Sequence, residues 1–305
     1  MNVVYSFIGK MPAYIVTSIK QLRLFFDGKI YVIYDNINDT IRHDLESFGV
    51  NFVHYDTVKS DRFAERNRKQ GFEYVPRLGD RALLFMRSYE RFYLLHNLML
   101  MYDLTNVWFM ELDIMMYINP VEILSMLEGC NVAYAHHRPK SSNSGIFFVR
   151  TAKHLDQILE TFDTCYNDAR TEMWMLWKHY EKNPDIVMFP LCSTPCDKES
   201  IHFWKDHVRF SNLLFDGAIL GILYFGYDPV HTGGHIVPQI KHIENVAGRF
   251  LNIWKYGELI WETNTAGLSL PYFITKTGKK YKITNLHIHS KALERASSEV
   301  IEHNV

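Results

Sequence analysis

Cysteine is scarce in this chain of 305 residues, which contains four of them. A disulfide framework for a domain of this size would need more, so the thiols fit a reducing compartment. Cys192 and Cys196, with His202 and His207 beyond them, are also compatible with a zinc site. The second pair lacks the usual ligand spacing, however, and two ordinary thiols near a turn explain the pattern as well.

The chain also lacks long apolar runs and an excess of charge of one sign. Its first ten residues have no basic region followed by a long apolar stretch, and the most apolar later window, Leu213–Phe225, contains Asp216 and is too short to cross a bilayer. Lys and Arg number 33 against 34 Asp and Glu, without the basic excess typical of nucleic-acid binding. We therefore expect a cytoplasmic protein with no integral membrane segment and no nucleic-acid partner.

Two glycine-rich motifs are absent as well. No G-x-G-x-x-G follows the first predicted strand, and no G-x-x-x-x-G-K-[ST] occurs anywhere in the chain. These absences argue against a typical dinucleotide-dependent oxidoreductase and against a P-loop phosphotransferase.

Apolar residues are plentiful, at 47% of the chain against 22% charged residues, which is enough for a large core. In the first half they alternate between short runs and helical spacing, the rhythm of βαβ units. The predicted strands are Val3–Ile8, Ile30–Tyr34, Asn106–Met110, Asn131–Ala135 and Gly145–Val149. The predicted helices are Tyr14–Phe26, Thr40–Phe48, Arg81–Tyr102, a short one from Pro120, Ala152–Asn167 and Glu172–His179. The expected fold is α/β, with an open, mostly parallel or mixed sheet flanked by helices.

Neither an internal repeat nor a low-complexity linker divides the chain. We predict a single domain over residues 1–305, in which halves of about 1–150 and 151–305 share one core. A stretch rich in glycine, histidine and proline, Gly226–Pro238, is predicted to be a long functional loop.

Two acids, Glu111 and Asp113, follow the predicted strand Asn106–Met110. A buried strand cannot hold two ionised carboxylates cheaply, so they should lie at its end, where ligands bind in open α/β sheets. Residues two apart in an extended chain point to the same side, so both carboxylates can reach one ion. Hard oxygen ligands favour Mg²⁺ or Mn²⁺, which can hold a diphosphate. The alternative is a turn with two solvated acids, and the apolar run in front favours the metal.

At these residues the sequence resembles nucleotide-sugar-dependent glycosyltransferases of the GT-A fold, in which an apolar strand ends in D-x-D or a variant such as E-x-D. Ser142–Val149 resembles their N-S-G strand beside the donor sugar, and Phe215–Ala218 resembles their acidic residue at a helix start facing the acceptor. Asn285–Lys291 resembles the C-terminal histidine and lysine segment of some members. The resemblance implies a GT-A catalytic domain with a Rossmann-like first half for the nucleotide sugar and a second half for the acceptor.

Two histidines and a lysine near the C-terminus are candidates for the same metal and phosphate site. In Leu286–Ser290, His287 and His289 alternate with apolar residues, so both would face one side of a strand and one could join the carboxylates on the cation. We favour His289, because it lies nearest Lys291, over His287. Lys291 would place a positive charge on the diphosphate leaving group; the alternative is an exposed basic residue at a helix start.

Asp216 allows two interpretations. It is either a general base that deprotonates an acceptor hydroxyl or the N-cap of the helix that runs through Leu220 and Leu223. With a base, a single displacement with inversion is the simplest mechanism. Retaining members of this fold often lack an obvious base, so both outcomes stay open.

Donor contacts are predicted for five residues. Asn143 and Ser144 belong to the segment that resembles the N-S-G strand. Asp35 follows the second strand, where a nucleoside would lie, although a plain turn residue explains it equally well. Arg87 and Arg91 lie four apart on one helix face and can reach phosphate or sugar hydroxyls, although helix arginines are more often solvated.

These features together predict an enzyme, a metal-dependent glycosyltransferase. It would move a hexose or pentose from a nucleotide sugar, above all a UDP-sugar, to a hydroxyl of a glycan or other acceptor, with Mn²⁺ or Mg²⁺ as the cofactor. A metal-dependent nucleotidyltransferase or phosphohydrolase is the first alternative, because it can share the open sheet and the carboxylate pair. A non-catalytic carbohydrate-binding protein is the second, although such a protein does not need both the carboxylate pair and the terminal H-x-H-S-K segment.

Overall fold

The computed structural model of the chain describes residues 1–70, 82–138, 141–164, 171–183, 185–190, 206–217, 219–226 and 257–300. The strands are β1 (Asn2–Lys10), β2 (Lys29–Asn36), β3 (Val50–His54), β4 (Val107–Met110), β5 (Ile114–Met116), β6 (Val132–Arg138), β7 (Ser141–Val149), β8 (Val187–Phe189), β9 (Leu213–Leu214), β10 (Gly257–Thr263), β11 (Ser269–Thr275), β12 (Lys280–Ile283) and β13 (Asn285–His287). The α-helices are α1 (Tyr14–Arg23), α2 (Asp39–Ser47), α3 (Tyr55–Val58), α4 (Asp61–Gln70), α5 (Ala82–Met101), α6 (Pro120–Met126), α7 (Ala152–Thr164), α8 (Glu172–Lys182) and α9 (Ile219–Phe225).

The main sheet has seven strands in the order β3-β2-β1-β4-β7-β6-β8. β1 pairs in parallel with β2 and with β4, and β2 pairs in parallel with β3. β7 is antiparallel to both β4 and β6, whereas β8 is parallel to β6. Within the described strands of this sheet, β7 alone is therefore reversed. The predicted open, mixed α/β sheet is confirmed.

Alternating strand residues build a core on each face of this sheet. On one face Val3 and Trp108 belong to the cluster that includes the apolar side of α1 and α2. On the other face Val4 and Phe109 belong to the cluster that includes α5, α7 and α8. Burial on both faces is typical of central strands in α/β sheets, and it explains why these strands read as continuous apolar runs.

The strand order reverses at β1, because β2 lies on one side of it and β4 on the other. In open α/β sheets the carboxyl ends of strands at such a switch point form a ligand-binding crevice. Glu111 and Asp113 follow the last residue of β4, Met110. The fold thus places the carboxylate pair at this edge of the sheet.

The C-terminal segment returns to the carboxylate pair. A second sheet has the order β10-β11-β12-β9, with antiparallel pairs except for the parallel pairing of β12 with β9. The chain then enters β13, which pairs antiparallel with β5 and sets His287 opposite Ile114. Since β5 begins directly after Asp113, this pairing brings the C-terminal histidine segment beside the E-x-D motif.

Most predicted elements are found, but two local expectations are wrong. Glu111 to Asp113 form a turn, closed by a hydrogen bond from Ile114 N to Glu111 O of 3.2 Å, rather than an extended chain. The predicted strand through Leu286–Ser290 ends at His287, where the pairing with β5 ends. The side-to-side alternation expected for both segments therefore does not apply.

Several residues named in the sequence analysis lie outside the described residues: Arg81, Cys165, Cys192, Cys196, His202, Ala218 and positions 227–238 of the predicted loop. The remaining cysteine, Cys130, is described and is a buried free thiol. Within the described residues, no helix is long and apolar enough to cross a membrane.

Two buried side chains of α1 hold β5 and the C-terminal region. Ser18 Oγ donates to Ile114 O at 2.7 Å, and Gln21 Nε2 donates to Met116 O at 2.8 Å. Gln21 also donates to Ser298 Oγ at 2.8 Å and accepts from Ser298 N at 2.9 Å. The first helix and the last described residues are thus joined through one amide.

Gln21→Ala is expected to lower the free energy of unfolding by about 2–3 kcal/mol, because buried partners of the amide lose their hydrogen bonds. Chemical denaturation followed by circular dichroism measures the change. Lys20→Ala is the control, since Lys20 is half-exposed and its ion pair with Glu299 lies at the surface; it should change stability by less than about 0.5 kcal/mol. Equal losses in the two variants would contradict the proposed anchor.

Candidate functional site

The turn after β4 is fixed by backbone hydrogen bonds to two distant segments. Glu111 N donates to Gly145 O of β7 at 2.9 Å, and Ile288 N donates to Asp113 O at 2.9 Å. Leu112 points into the core and is 4% exposed. With its apolar residue buried and its backbone paired on both sides, the turn directs both carboxylates toward the same place.

His287 lies between the two carboxylates. Its Nε2 is 3.2 Å from Glu111 Oε2 and 3.2 Å from Asp113 Oδ1. One ligand atom from each of the three residues lies within 4.8 Å of the other two. The side chains of Asp113 and His287 are nearly buried, whereas that of Glu111 is 27% exposed. The cluster therefore opens to solvent on the side of Glu111.

The backbone of His287 is held by the start of α9. Asp216 is buried, and its carboxylate accepts hydrogen bonds from the backbone N–H groups of Leu220, Gly221 and His287, at 3.0, 2.9 and 3.1 Å. A Cβ at Gly221 would lie 1.8 Å from His287 O, so glycine is required for this close approach. Asn285 adds two hydrogen bonds with the backbone of Asp216. These bonds support the capping interpretation of Asp216; its role as a base stays a prediction.

Gly145 makes room for the His287 ring. A Cβ at this position would come within 3.0 Å of His287 Nδ1 and of Asn143 Oδ1. Asn143 Oδ1 itself accepts from Gly145 N at 2.7 Å, and its Nδ2 donates to Gly217 O at 3.2 Å. The asparagine and the glycine of the N-S-G segment thus have structural roles beside the imidazole.

Two further cations complete the cluster. Arg91 of α5 pairs with Glu111 and donates to Ser144 Oγ at 2.6 Å. Lys291 Nζ forms an ion pair with Asp113. The structure thus places Arg91, Ser144 and Lys291 beside the carboxylates; the donor and diphosphate contacts predicted for them stay predictions.

The charges in the cluster shift one another's pKa. Burial by itself raises the pKa of both carboxyls, but Arg91 and His287 hold the pKa of Glu111 well below its ordinary value. His287 and Lys291 do the same for Asp113. Burial lowers the pKa of His287, yet the two carboxylates outweigh it and raise this pKa to about 10. At neutral pH the imidazole is therefore protonated and serves as a cation between two anions.

Glu111, Asp113 and His287 fit a divalent cation. Ligand atoms about 2.1 Å from one ion lie roughly 3–4 Å apart. His287 Nε2 lies 3.2 Å from one oxygen of each carboxylate, and ligand atoms of all three residues lie within 4.8 Å of one another. Two carboxylates and one imidazole suit Mn²⁺, and Mg²⁺ to a lesser degree. Because the imidazole must be neutral to ligate, the ion would replace the Nε2 proton of His287. Metal binding at these residues would therefore release a proton.

The preference for His289 over His287 is not supported by this geometry. His289 follows the end of β13, and its ring centroid lies 4.5 Å from that of His287. Burial and the neighbouring His287 lower the pKa of His289 to about 3. Among the described residues, the group that can share an ion contains His287 and not His289. The sequence argument favoured His289 for its nearness to Lys291, but Lys291 pairs with Asp113 from a position after the end of β13. Which histidine binds an ion stays a prediction.

Two predicted donor residues have partners away from this cluster. Arg87 pairs with Glu90, which also accepts a hydrogen bond from Tyr55 Oη at 2.6 Å. Asp35 accepts from Gly9 N at 3.1 Å, and Gly9 has a φ of 111°, a conformation that favours glycine. Asp35 thus holds Gly9 in the irregular last part of β1, and its contact with a nucleoside stays a prediction.

Glu172 was missed by the sequence analysis. It is the first residue of α8, follows the N-cap Thr171, and is buried with its Oε1 3.6 Å from Arg91 Nη2. An acid in the first turn of a helix is common because it interacts favourably with the helix dipole. Nothing in the sequence spacing connects residue 172 with residue 91, so only the packed fold reveals the contact.

The sequence has no significant match to a protein-family model or to a curated protein sequence. In structure the chain is similar to mouse xyloside xylosyltransferase 1, with 9% identity, a TM-score of 0.38, and coverage of 68% of this chain and 92% of that one. It is similar to the galactosyltransferase LgtC, with 12% identity, a TM-score of 0.42 and coverage of 62% and 73%. A cytidylyltransferase from Leptospira borgpetersenii has 10% identity, a TM-score of 0.35 and coverage of 62% and 74%. Similarity at this level carries no conclusion about activity.

His287→Ala is expected to weaken Mn²⁺ binding at least about 10-fold, because it removes the nitrogen between the two carboxylates. His289→Ala should change the affinity less than about 3-fold, since its ring lies beside His287 rather than between the acids. Titration of free Mn²⁺ by electron paramagnetic resonance measures both constants. A larger loss in the His289 variant would restore the sequence-based preference.

Proposed function

We propose that the chain is a metal-dependent glycosyltransferase that moves a sugar from a nucleotide sugar, most simply a UDP-sugar, to a hydroxyl of a glycan or other acceptor. The observation that carries this proposal is the cluster at the end of β4, where Glu111, Asp113 and His287 share one position and Lys291 stands beside them. A divalent cation held by these three residues would supply positive charge to a departing diphosphate.

Lys291 is suited to assist that departure. It pairs with Asp113, and its side chain is 29% exposed, so it reaches solvent from the edge of the cluster. When the Asp113 carboxylate coordinates the cation, its attraction to Lys291 becomes weaker. The ammonium group can then pair with a phosphate oxygen, which is a role for a flexible point charge.

The neighbouring polar residues define the donor side of the proposed site. Asn143 and Ser144 lie beside His287 and Arg91 through the contacts of the N-S-G segment. Asp35 lies after β2 and would face the nucleoside, and Arg87 would face phosphate or sugar hydroxyls from α5. These four assignments follow from the resemblance and from position at the carboxyl edge of the sheet.

Asp216 would support the reaction through His287. Its carboxylate holds the His287 backbone and the first turn of α9. Burial raises the pKa of Asp216 above its ordinary value, although the hydrogen bonds from these backbone groups oppose the rise. The positioning role is favoured by geometry, because the carboxylate is buried and both of its oxygens already accept backbone hydrogen bonds. Whether the transfer inverts or retains the anomeric centre is then independent of Asp216.

Asp113→Ala is expected to abolish Mn²⁺-dependent UDP binding, because Asp113 contacts both His287 and Lys291. Calorimetry with UDP, with and without Mn²⁺, should show a loss of at least about 10-fold. Glu122→Ala, which removes an exposed acid from α6, is the control and should bind as the unmodified chain does. Unchanged Mn²⁺ and UDP affinity in the Asp113 variant would contradict the proposed metal site.

The reaction products separate glycosyl transfer from its rivals. With a panel of nucleotide sugars and Mn²⁺, the proposal predicts release of nucleoside diphosphate, since the bond between the sugar and the diphosphate is broken. Chromatography of the nucleotide products detects it. Release of nucleoside monophosphate or pyrophosphate would indicate nucleotidyl transfer or phosphate hydrolysis instead. Binding without turnover of any donor would favour a carbohydrate-binding protein.

A further inference from the structure

Arg91 is a mostly buried cation. Its side chain is 12% exposed, and its guanidinium lies over the rings of Phe92 and Phe109 at 5.6 and 5.7 Å from their centroids. It pairs with Glu111 and donates to Ser144 Oγ. A charge in such a place needs an anionic partner, because a buried ion that loses its partner is strongly destabilising.

Glu172 offers a second anionic partner to the same guanidinium. Its side chain is 8% exposed, and Oε1 lies 3.6 Å from Arg91 Nη2, beyond the distance of a close charge-assisted hydrogen bond. Its Oε2 is buried and has no hydrogen-bond partner among the described residues. An ionised carboxylate with an unused buried oxygen is costly unless another state of the site employs it.

The two carboxylates stand in different relations to the proposed metal. Glu111 contributes one of the three ligand atoms that can share an ion, whereas Glu172 belongs to no such group among the described residues. Arg91 pairs with Glu111 Oε1, whereas Oε2 faces His287, so an ion at the cluster and Arg91 would share one carboxylate and compete for its negative charge. The competition is weaker when Arg91 has another carboxylate within reach.

We propose that Glu172 is a positioning residue that takes over Arg91 when a divalent cation engages Glu111. A small movement of the guanidinium toward α8 turns the 3.6 Å contact into a direct hydrogen bond and gives the buried Oε2 a donor. Glu172 thereby makes Glu111 available to the ion while Arg91 keeps a counterion and its place beside Ser144. Burial raises the pKa of Glu172 to about 6 and Arg91 opposes this rise, so the group is ionised above neutral pH.

This inference rests on the proposed metal site, and Mn²⁺ affinity measured by electron paramagnetic resonance at about pH 7.5 tests it without requiring turnover. Glu172→Gln should weaken Mn²⁺ binding about 10-fold, because the ion must then take Glu111 from an arginine with no second carboxylate. Glu90→Gln is the matched control. It removes a buried carboxylate that neighbours Arg91 on α5 and pairs with Arg87 instead, and it should change the affinity less than about 2-fold.

Combination with Arg91→Met separates a shared arginine from a general effect of charge. Once Arg91 is absent, Glu172→Gln should no longer weaken Mn²⁺ binding, since no guanidinium competes for Glu111. Equal losses in the Glu172 and Glu90 variants, or an unchanged affinity in Glu172→Gln, would overturn the inference while leaving the metal site intact. If the unmodified chain itself does not bind Mn²⁺, the proposed metal-dependent function fails first, and this inference fails with it.

Discussion

Two ionised carboxylates at the end of a buried strand are stable only if positively charged groups lie close to them. Glu111 and Asp113 are held by Arg91, His287 and Lys291. Without these partners each carboxylate would cost several kcal/mol or would bind a proton instead. The cations come from α5 and from the C-terminal segment, so charge balance at one turn ties together parts of the chain that are far apart in sequence.

Backbone hydrogen bonds hold the C-terminal segment, which supplies two of these cations, beside the E-x-D turn. β13 pairs with β5 immediately after the E-x-D turn, and Ile288 N bonds to Asp113 O. Asp216 fixes the other side of the same segment through His287 N. Because His287 is held on both sides, its imidazole is positioned before any ligand arrives. Such preorganisation keeps the geometry of a metal site when its ligands come from separate elements.

The sequence predicted the parts of this site that depend on residues adjacent in the chain. The apolar run of β4 followed by Glu111 and Asp113 is such a part, because strand burial and the cost of buried charge are readable from neighbouring residues. The choice between His287 and His289 cannot be made from neighbouring residues, because the end of β13 is set by its pairing with β5, which is a tertiary contact. Glu172 gave no signal, because its contact with Arg91 exists only once α8 packs beside α5.

The salt bridges of the cluster also suggest how its proposed ligands depend on one another. Asp113 and Lys291 neutralise each other in this structure, and His287 carries a proton between the acids. A divalent cation would displace that proton and weaken the attraction between Asp113 and Lys291. A diphosphate bound to the same ion would then offer Lys291 a second anionic group. By linkage, whatever the ion contributes to diphosphate affinity the diphosphate contributes equally to ion affinity. Under the proposed function, the arrangement would therefore favour joint binding of metal and nucleotide over either ligand alone.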